Sequence, residues 1–431
     1  MLLVASWRLR GGLPGRAAGW ALIILAAGVA VMVAQIVPLP KQIWAYLPSR
    51  TFLTKDFASI GLDPNWMPLS LSPFESRQAI IAILPGVASF FAIISVPHKR
   101  WDWVVAGIIV LAIVGALVAL AQTFQGPNGI FNFFEEQGQV TASGFFANRN
   151  FLAAQLYVAV PFAIVLTFCR LPERSMSRIV WGFLGLLTVL VLVAGVGASG
   201  SRMGAILVVA ALLCSLVVYL TSQSRWSQPG LKRSGFFIAV LFVGGVVVAQ
   251  LCFVALLRFS QTDLSTDYRG VMHATSWKAA LAFLPFGSGF GSFVPAYQLF
   301  ENPDSLIAAY VNHAHSDWLE LVLEGGFPIV IVLAGFCVWL ATRMLLIWRD
   351  KDANPYAKAA SVAVMMLLIH SYQDYPLRAP ALLAMFGLCL GMMAVQTGRS
   401  KTQPTVGTQN FLEGDVVFKS RPGGFSGVRK S

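Results

Sequence analysis

Charge is what this chain has least of. Asp, Glu, Lys and Arg make up 12% of its 431 residues, about half the share of a soluble domain. With 57% hydrophobic residues and a mean hydropathy of +0.70, a string of water-soluble domains is excluded. Cysteine and histidine are also scarce, at 5 residues each. Cys169, Cys214, Cys252, Cys337 and Cys389 are scattered in or beside apolar runs, with no CxxC pair and no Cys/His ligand spacing. Neither a disulfide framework nor a structural zinc site is suggested, and the thiols read as small packing residues.

What is present is a series of apolar runs of about 20 residues, the length that crosses a bilayer. The candidate spans are Gly19–Val37, Ala79–Val96, Trp103–Ala121, Phe151–Phe168, Ile179–Ala198, Met203–Leu220, Gly235–Leu257, Phe327–Ile347, Ala357–His370 and Ala381–Gln396. The expected fold is an all-α polytopic membrane bundle of about ten spans, with up to twelve allowed. Residues 1–18 form its cytoplasmic N-terminal segment, 19–397 the membrane domain, and 398–431 a polar, Gly-rich, disordered cytoplasmic tail. The first run follows Arg8, Arg10 and Arg16. It is longer than a signal-peptide core and reads as an uncleaved signal anchor.

Basic residues set the orientation. With both termini inside, the inner segments collect Lys99/Arg100, Arg170/Arg174/Arg178, Arg225/Lys232/Arg233 and Arg343/Arg349/Lys351/Lys358, while the outer segments lean acidic. The net charge of +12 therefore reports membrane orientation and needs no nucleic acid. The long connections, Pro38–Arg77, Gln122–Asn150 and the loop 258–326 between the seventh and eighth spans, all lie outside. Elaboration on one face points to function on that face.

The richest stretch is Asn312–Gly326, NHAHSDWLELVLEGG. His313 and His315 have two open readings: an interfacial pair bonded to loop backbone, or a general acid/base pair. A metal site is disfavoured, because no third ligand sits at helical spacing and HExxH is absent. Asp317 and Glu320 read as a capping box, and Gly325–Gly326 as a helix stop. Arginines near outer span ends are the second signal: Arg202 in SGSRMGA, Arg149 in ANRN, Arg378 in HSYQDYPLR, and Arg269 in the long loop. Snorkelling to headgroups is one account of them. Converging on a diphosphate through charge-assisted contacts is the other. FGSGFGSF, residues 286–293, has a GxGxxG-like spacing but no preceding strand, so it reads as a tight external turn. His370, Gln373 and Asp374 end a short span and are expected to face the bundle; His98 and His273 read as structural.

Five motifs in order, GFFANRNFLAA, SGSRMGA, GSGFGSFVPAYQ, VNHAHSDWLELVLEGG and HSYQDYPLRAP, with PLSLSPFESR in the first outer loop, resemble the bacterial O-antigen ligase/O-antigen polymerase family. The resemblance implies an inverting, metal-independent glycosyltransferase of the inner membrane that works on its periplasmic side without a cofactor. Its donor would be a glycan on undecaprenyl diphosphate, and its acceptor a hydroxyl of a glycan, of lipid A core or of protein. His315 matches the family histidine, and His313 belongs to a subset reading HAH. Arg202 and Arg269, with Arg378 and Arg149, would hold the diphosphate. Asn148, Trp318, Tyr297 and Asp374 would line the substrate; Trp318, Trp277 and Tyr297 would stack on sugars or anchor at the interface. The run from Trp277 to Gly287 is shorter than in many relatives, which leaves the loop arginine less securely matched. A transporter or flippase for an anionic or lipid-linked substrate is the rival class. It calls for polar groups at mid-membrane in paired broken helices, whereas here they gather at one face.

Overall fold

The computed structural model describes residues 15–126, 129–134, 142–169, 175–222, 244, 264–305 and 310–395. The expected span Gly235–Leu257, apart from residue 244, and the tail 398–431 lie outside the described residues. The principal helices are α1 (Arg16–Ile36), α2 (Pro73–Ala82), α3 (Leu84–Ile94), α4 (Trp101–Gln125), α5 (Arg149–Ile164), α6 (Ser175–Ser199), α7 (Arg202–Ser222), α8 (Leu264–Phe283), α9 (Phe293–Gln298), α10 (Asp317–Arg349), α11 (Pro355–Gln373) and α12 (Pro380–Val395). Among the described residues seven helical segments are long and apolar enough to cross a membrane: Arg16–Ile36, Pro73–Ile94, His98–Gln125, Arg149–Cys169, Val180–Ser199, Arg202–Ser222 and Asp317–Arg349. The protein is a multi-pass membrane protein. The expected spans at 357–370 and 381–396 are helical too, but α12 is a shorter apolar helix.

One feature departs from an all-α chain. In the connection between α1 and α2, Pro38–Pro40 (β1) pairs antiparallel with Trp66–Pro68 (β2). Proline cannot donate to a ladder, which keeps this ribbon to three residues a strand.

α5 is the centre of the bundle. It is apolar on all sides, so it is stable only when surrounded; every residue from Leu152 to Ile164 except Gln155 is buried. α4, α6, α7 and α11 pack around it. Small residues set the closest approaches, as expected where lipid supplies no hydrophobic drive between helices. A Cβ on Gly204 of α7 would lie 2.5 Å from Ala153 Cβ of α5, and one on Gly387 of α12 would lie 2.0 Å from the Gly86 carbonyl oxygen of α3. One end of the bundle is tied by polar contacts: Tyr356 donates to Asp102 at 2.7 Å, and buried Lys358 donates to the Thr221 carbonyl at the end of α7 at 3.2 Å.

α10 breaks at Gly326, whose φ of 59° and ψ of −155° leave the helical region. The break frees backbone groups that need partners in a dry setting. The glycine turn of residues 286–293 supplies them: Ser288 N donates to Leu323 O at 2.9 Å, Gly289 N to Glu324 O at 3.0 Å, and Phe327 N to Pro285 O at 2.8 Å. Buried Gln35 of α1 completes the clasp, donating to Glu324 O at 2.8 Å and Phe286 O at 3.1 Å while accepting from Phe290 N at 3.0 Å. The turn with nucleotide-like spacing is thus a brace for the kink.

Candidate active site

The segment before α10 carries the two histidines. Ser316 is the residue that caps the helix, its side chain accepting from Leu319 N at 3.4 Å. The capping box expected from Asp317 and Glu320 does not form, because both carboxylates are engaged across the fold. Asp317 accepts from the Ser371 hydroxyl at 2.8 Å and from Leu377 N at 3.2 Å. Glu320 turns back to His313 and to Ala314 N.

Each histidine therefore faces a buried carboxylate through Nδ1. His313 Nδ1 is 3.0 Å from Glu320 Oε1, and His315 Nδ1 is 3.5 Å from Asp374 Oδ1. The Tyr375 ring lies against both, with centroids 4.3 Å from His313 and 5.1 Å from His315. His315 sits at φ 51°, a region few non-glycine residues adopt. Its neighbours hold it there: the His273 ring Nε2 donates to the His315 carbonyl at 3.2 Å, and Asp317 N donates to Asp374 O at 3.2 Å.

Asp374 ties this centre to the start of α5. Asn150 donates to its second oxygen, and Asn148 caps α5 by accepting from Asn150 N at 2.8 Å. Burial alone would raise the Asp374 carboxyl. The approach of the His315 ring and the charges of His370, His315 and Arg269 together hold it below the usual carboxylate range. Burial and the Asp374 charge push the Tyr375 hydroxyl up to about 12, against an opposing hydrogen bond with Asn148.

The expected arginines divide. Arg149 is the first residue of α5 and Arg202 the first of α7. The close contact of Gly204 with Ala153 brings those two helix starts together, at the end where Asn150 meets Asp374. Arg269, on α8, acts electrostatically on Asp374 and Tyr375. Arg378 is differently placed. Its Nη2 lies 3.1 Å from Glu320 Oε1 and 3.1 Å from Glu324 Oε2, and its Nε 3.8 Å from Asp317 Oδ1. Burial would lower this guanidinium, but Glu320, Glu324 and Asp317 outweigh it and hold it above its ordinary value. Its charge is already engaged by three carboxylates.

The aromatics divide too. Tyr297 is 1% exposed, inside a small core of α8, α9 and α10, so its ring packs where a sugar cannot reach. Trp318 donates to the Leu368 carbonyl at 3.1 Å and lines an apolar groove of about 400 Å³. Leu25, Met32, Phe90, Leu333 and Phe386 are among its walls; Asp317, Ser371 and Arg378 supply its polar end.

The family comparison bears on this geometry. Residues 187–334 match the family model described as O-antigen ligase. In this stretch the chain is similar to the O-antigen ligase family. It contains Arg202, Arg269, both histidines and Glu320; Asp374, Tyr375 and Arg378 lie beyond it in sequence and join it in space. No curated protein matches the chain. Sequence reading missed Glu320 as a histidine partner, as well as Tyr375, Asn150 and Gln35. The available signal for Gln35 was a lone amide near the end of an apolar run, which needs partners when buried.

Proposed function

We propose that this chain transfers a glycan from undecaprenyl diphosphate to an acceptor hydroxyl at the periplasmic face of the bacterial inner membrane, with inversion and without a metal. The observation that carries the reading is the pairing of His315 with buried Asp374 at the end of the bundle where Arg149 and Arg202 begin their helices. A carboxylate facing Nδ1 fixes the proton there and leaves Nε2 able to accept one. His315 takes the proton of the acceptor hydroxyl as its oxygen bonds to the anomeric carbon from the face opposite the diphosphate. The diphosphate leaves with the electron pair of the broken C–O bond, and Arg202, Arg269 and Arg149 stabilise its charge. The apolar groove with its polar end supports a substrate carried on a lipid. Asn148 and Asp374 frame the acceptor side; Arg378 is read as holding the carboxylates of α10 in place. The acceptor is a glycan, lipid A core or a protein.

Two measurements test this reading. His315→Ala should lower transfer by at least about 10²-fold, within the range for a lost general base, while the protein still inserts; normal transfer would sink the assignment. Transfer by the wild-type protein should persist in EDTA, and a loss that divalent ions restore would overturn the arginine mechanism.

A further inference from the structure

Resting on that reading, the structure also bears on a second group, Glu320. It is 1% exposed, and its oxygens face His313 Nδ1 at 3.0 Å, Ala314 N at 3.1 Å and Arg378 Nη2 at 3.1 Å. A residue serving only as a cap needs a backbone partner alone. Glu320 in addition grips an imidazole, and a carboxylate can only accept, so Nδ1 carries the proton and Nε2 keeps its lone pair. Tyr375 pins the same ring from its face at 4.3 Å.

His315 Nδ1 faces Asp374 at the longer distance of 3.5 Å, and its ring packs against the same tyrosine. The site therefore presents two imidazoles on one tyrosine ring, each with a buried carboxylate facing its Nδ1. One transfer event deprotonates one hydroxyl and needs one base. We propose that Glu320 is a positioning residue that sets His313 to accept a hydrogen bond from a second hydroxyl of the acceptor, next to the one His315 deprotonates. The acceptor is then a sugar with neighbouring hydroxyl groups, and not the single hydroxyl of a serine or threonine side chain. Both imidazoles pack on the one Tyr375 ring, which keeps them close enough for one acceptor ring to meet both. His313 takes no proton in this scheme; the reacting proton goes to His315 and the diphosphate leaves as before.

The experiment uses the full-length protein in proteoliposomes. The donor is the lipid-linked glycan fraction, and the acceptor the envelope glycolipid fraction of a strain lacking the chain. His313→Ala and Glu320→Gln should each raise the apparent KM for the acceptor roughly tenfold, the loss expected for one hydrogen bond, with kcat within about twofold. The double variant should be no worse than either single, because Glu320 acts through His313. Glu320→Asp keeps the charge but shortens the reach, and should fall between wild type and Glu320→Gln. This variant carries the comparison if the amide variant does not accumulate. Mild periodate, which cleaves neighbouring diols, should abolish acceptor function in the glycolipid fraction. Additive losses in the double variant, a fall in kcat with KM unchanged, transfer to the periodate-treated fraction, or transfer to envelope protein instead would each overturn the proposal. If the wild-type protein transfers to neither fraction, the glycosyl-transfer reading fails and this inference with it. Wild-type transfer with unchanged kinetics in both single variants refutes the inference alone.

Discussion

Arg378 separates two accounts of this site. As a diphosphate ligand it would be dispensable for folding and essential for transfer. As the counter-charge of Asp317, Glu320 and Glu324 it would be needed for both. The three carboxylates are 6%, 1% and 0% exposed on their side chains. At an effective dielectric of about 20, each contact near 3 Å is worth roughly 5 kcal/mol before desolvation. Burying the ions offsets much of that, so removing one partner of such a cluster costs about 3–5 kcal/mol net. Arg378→Met should therefore lower the midpoint of thermal unfolding of detergent-solubilised protein, read as loss of the monodisperse peak on heating. Arg378→Lys should recover only part of the loss, because one ammonium lacks the planar fork that spans several carboxylates. Adding Glu324→Gln and Asp317→Asn to Arg378→Met should restore most of the stability, since it removes two of the three buried charges left unpaired and Glu320 keeps His313 as a partner. A normal midpoint in Arg378→Met with transfer abolished would refute this reasoning and return the guanidinium to the diphosphate.

The parts of this molecule legible in the sequence are those set by local composition. Apolar runs located α1, α4, α5, α6, α7 and the spanning part of α10, because a helix must satisfy its own backbone in lipid whatever it packs against. His313 and His315 stood out because histidine is scarce and the surrounding motif is dense. Their carboxylate partners were harder to assign. The Asp-x-x-Glu spacing offers a local explanation, a capping box, and that explanation is wrong here because Ser316 already caps the helix. Asp317 and Glu320 find Arg378, Ser371 and His313 through the folding of α10 against α11, which no local pattern encodes. Tyr297 illustrates the same limit: a loop tyrosine beside a glycine turn looks available to a sugar until α9, which carries it, packs against α8 and α10. The glycines of the turn report the kink they brace, since a Cβ on Gly287 would lie 2.3 Å from the Glu324 carbonyl oxygen.

Two further perturbations test the frame and the centre. Gly326→Ala places a Cβ 2.3 Å from Pro285 O at a φ of 59°. It should cost about 1–3 kcal/mol of backbone strain and clash, read as a lower thermal midpoint and lower transfer together; an unchanged midpoint would mean that the kink is not constrained as described. Asp374→Asn keeps the shape of the side chain and removes its charge, and its effect should depend on pH. The wild-type carboxyl is held below the usual range, so its folded value lies below its unfolded value of about 3.9. Such a group adds stability that is fully present above the unfolded value and is lost as pH falls through the folded one. The variant should therefore be less stable than wild type at pH 7, with the gap closing below about pH 4. Transfer should fall at every pH, because an amide can turn its NH₂ toward His315 and no longer fixes the proton on Nδ1. A stability gap that widens as the solution is acidified would show that Asp374 is held protonated instead, and that His315 does not owe its tautomer to this carboxylate.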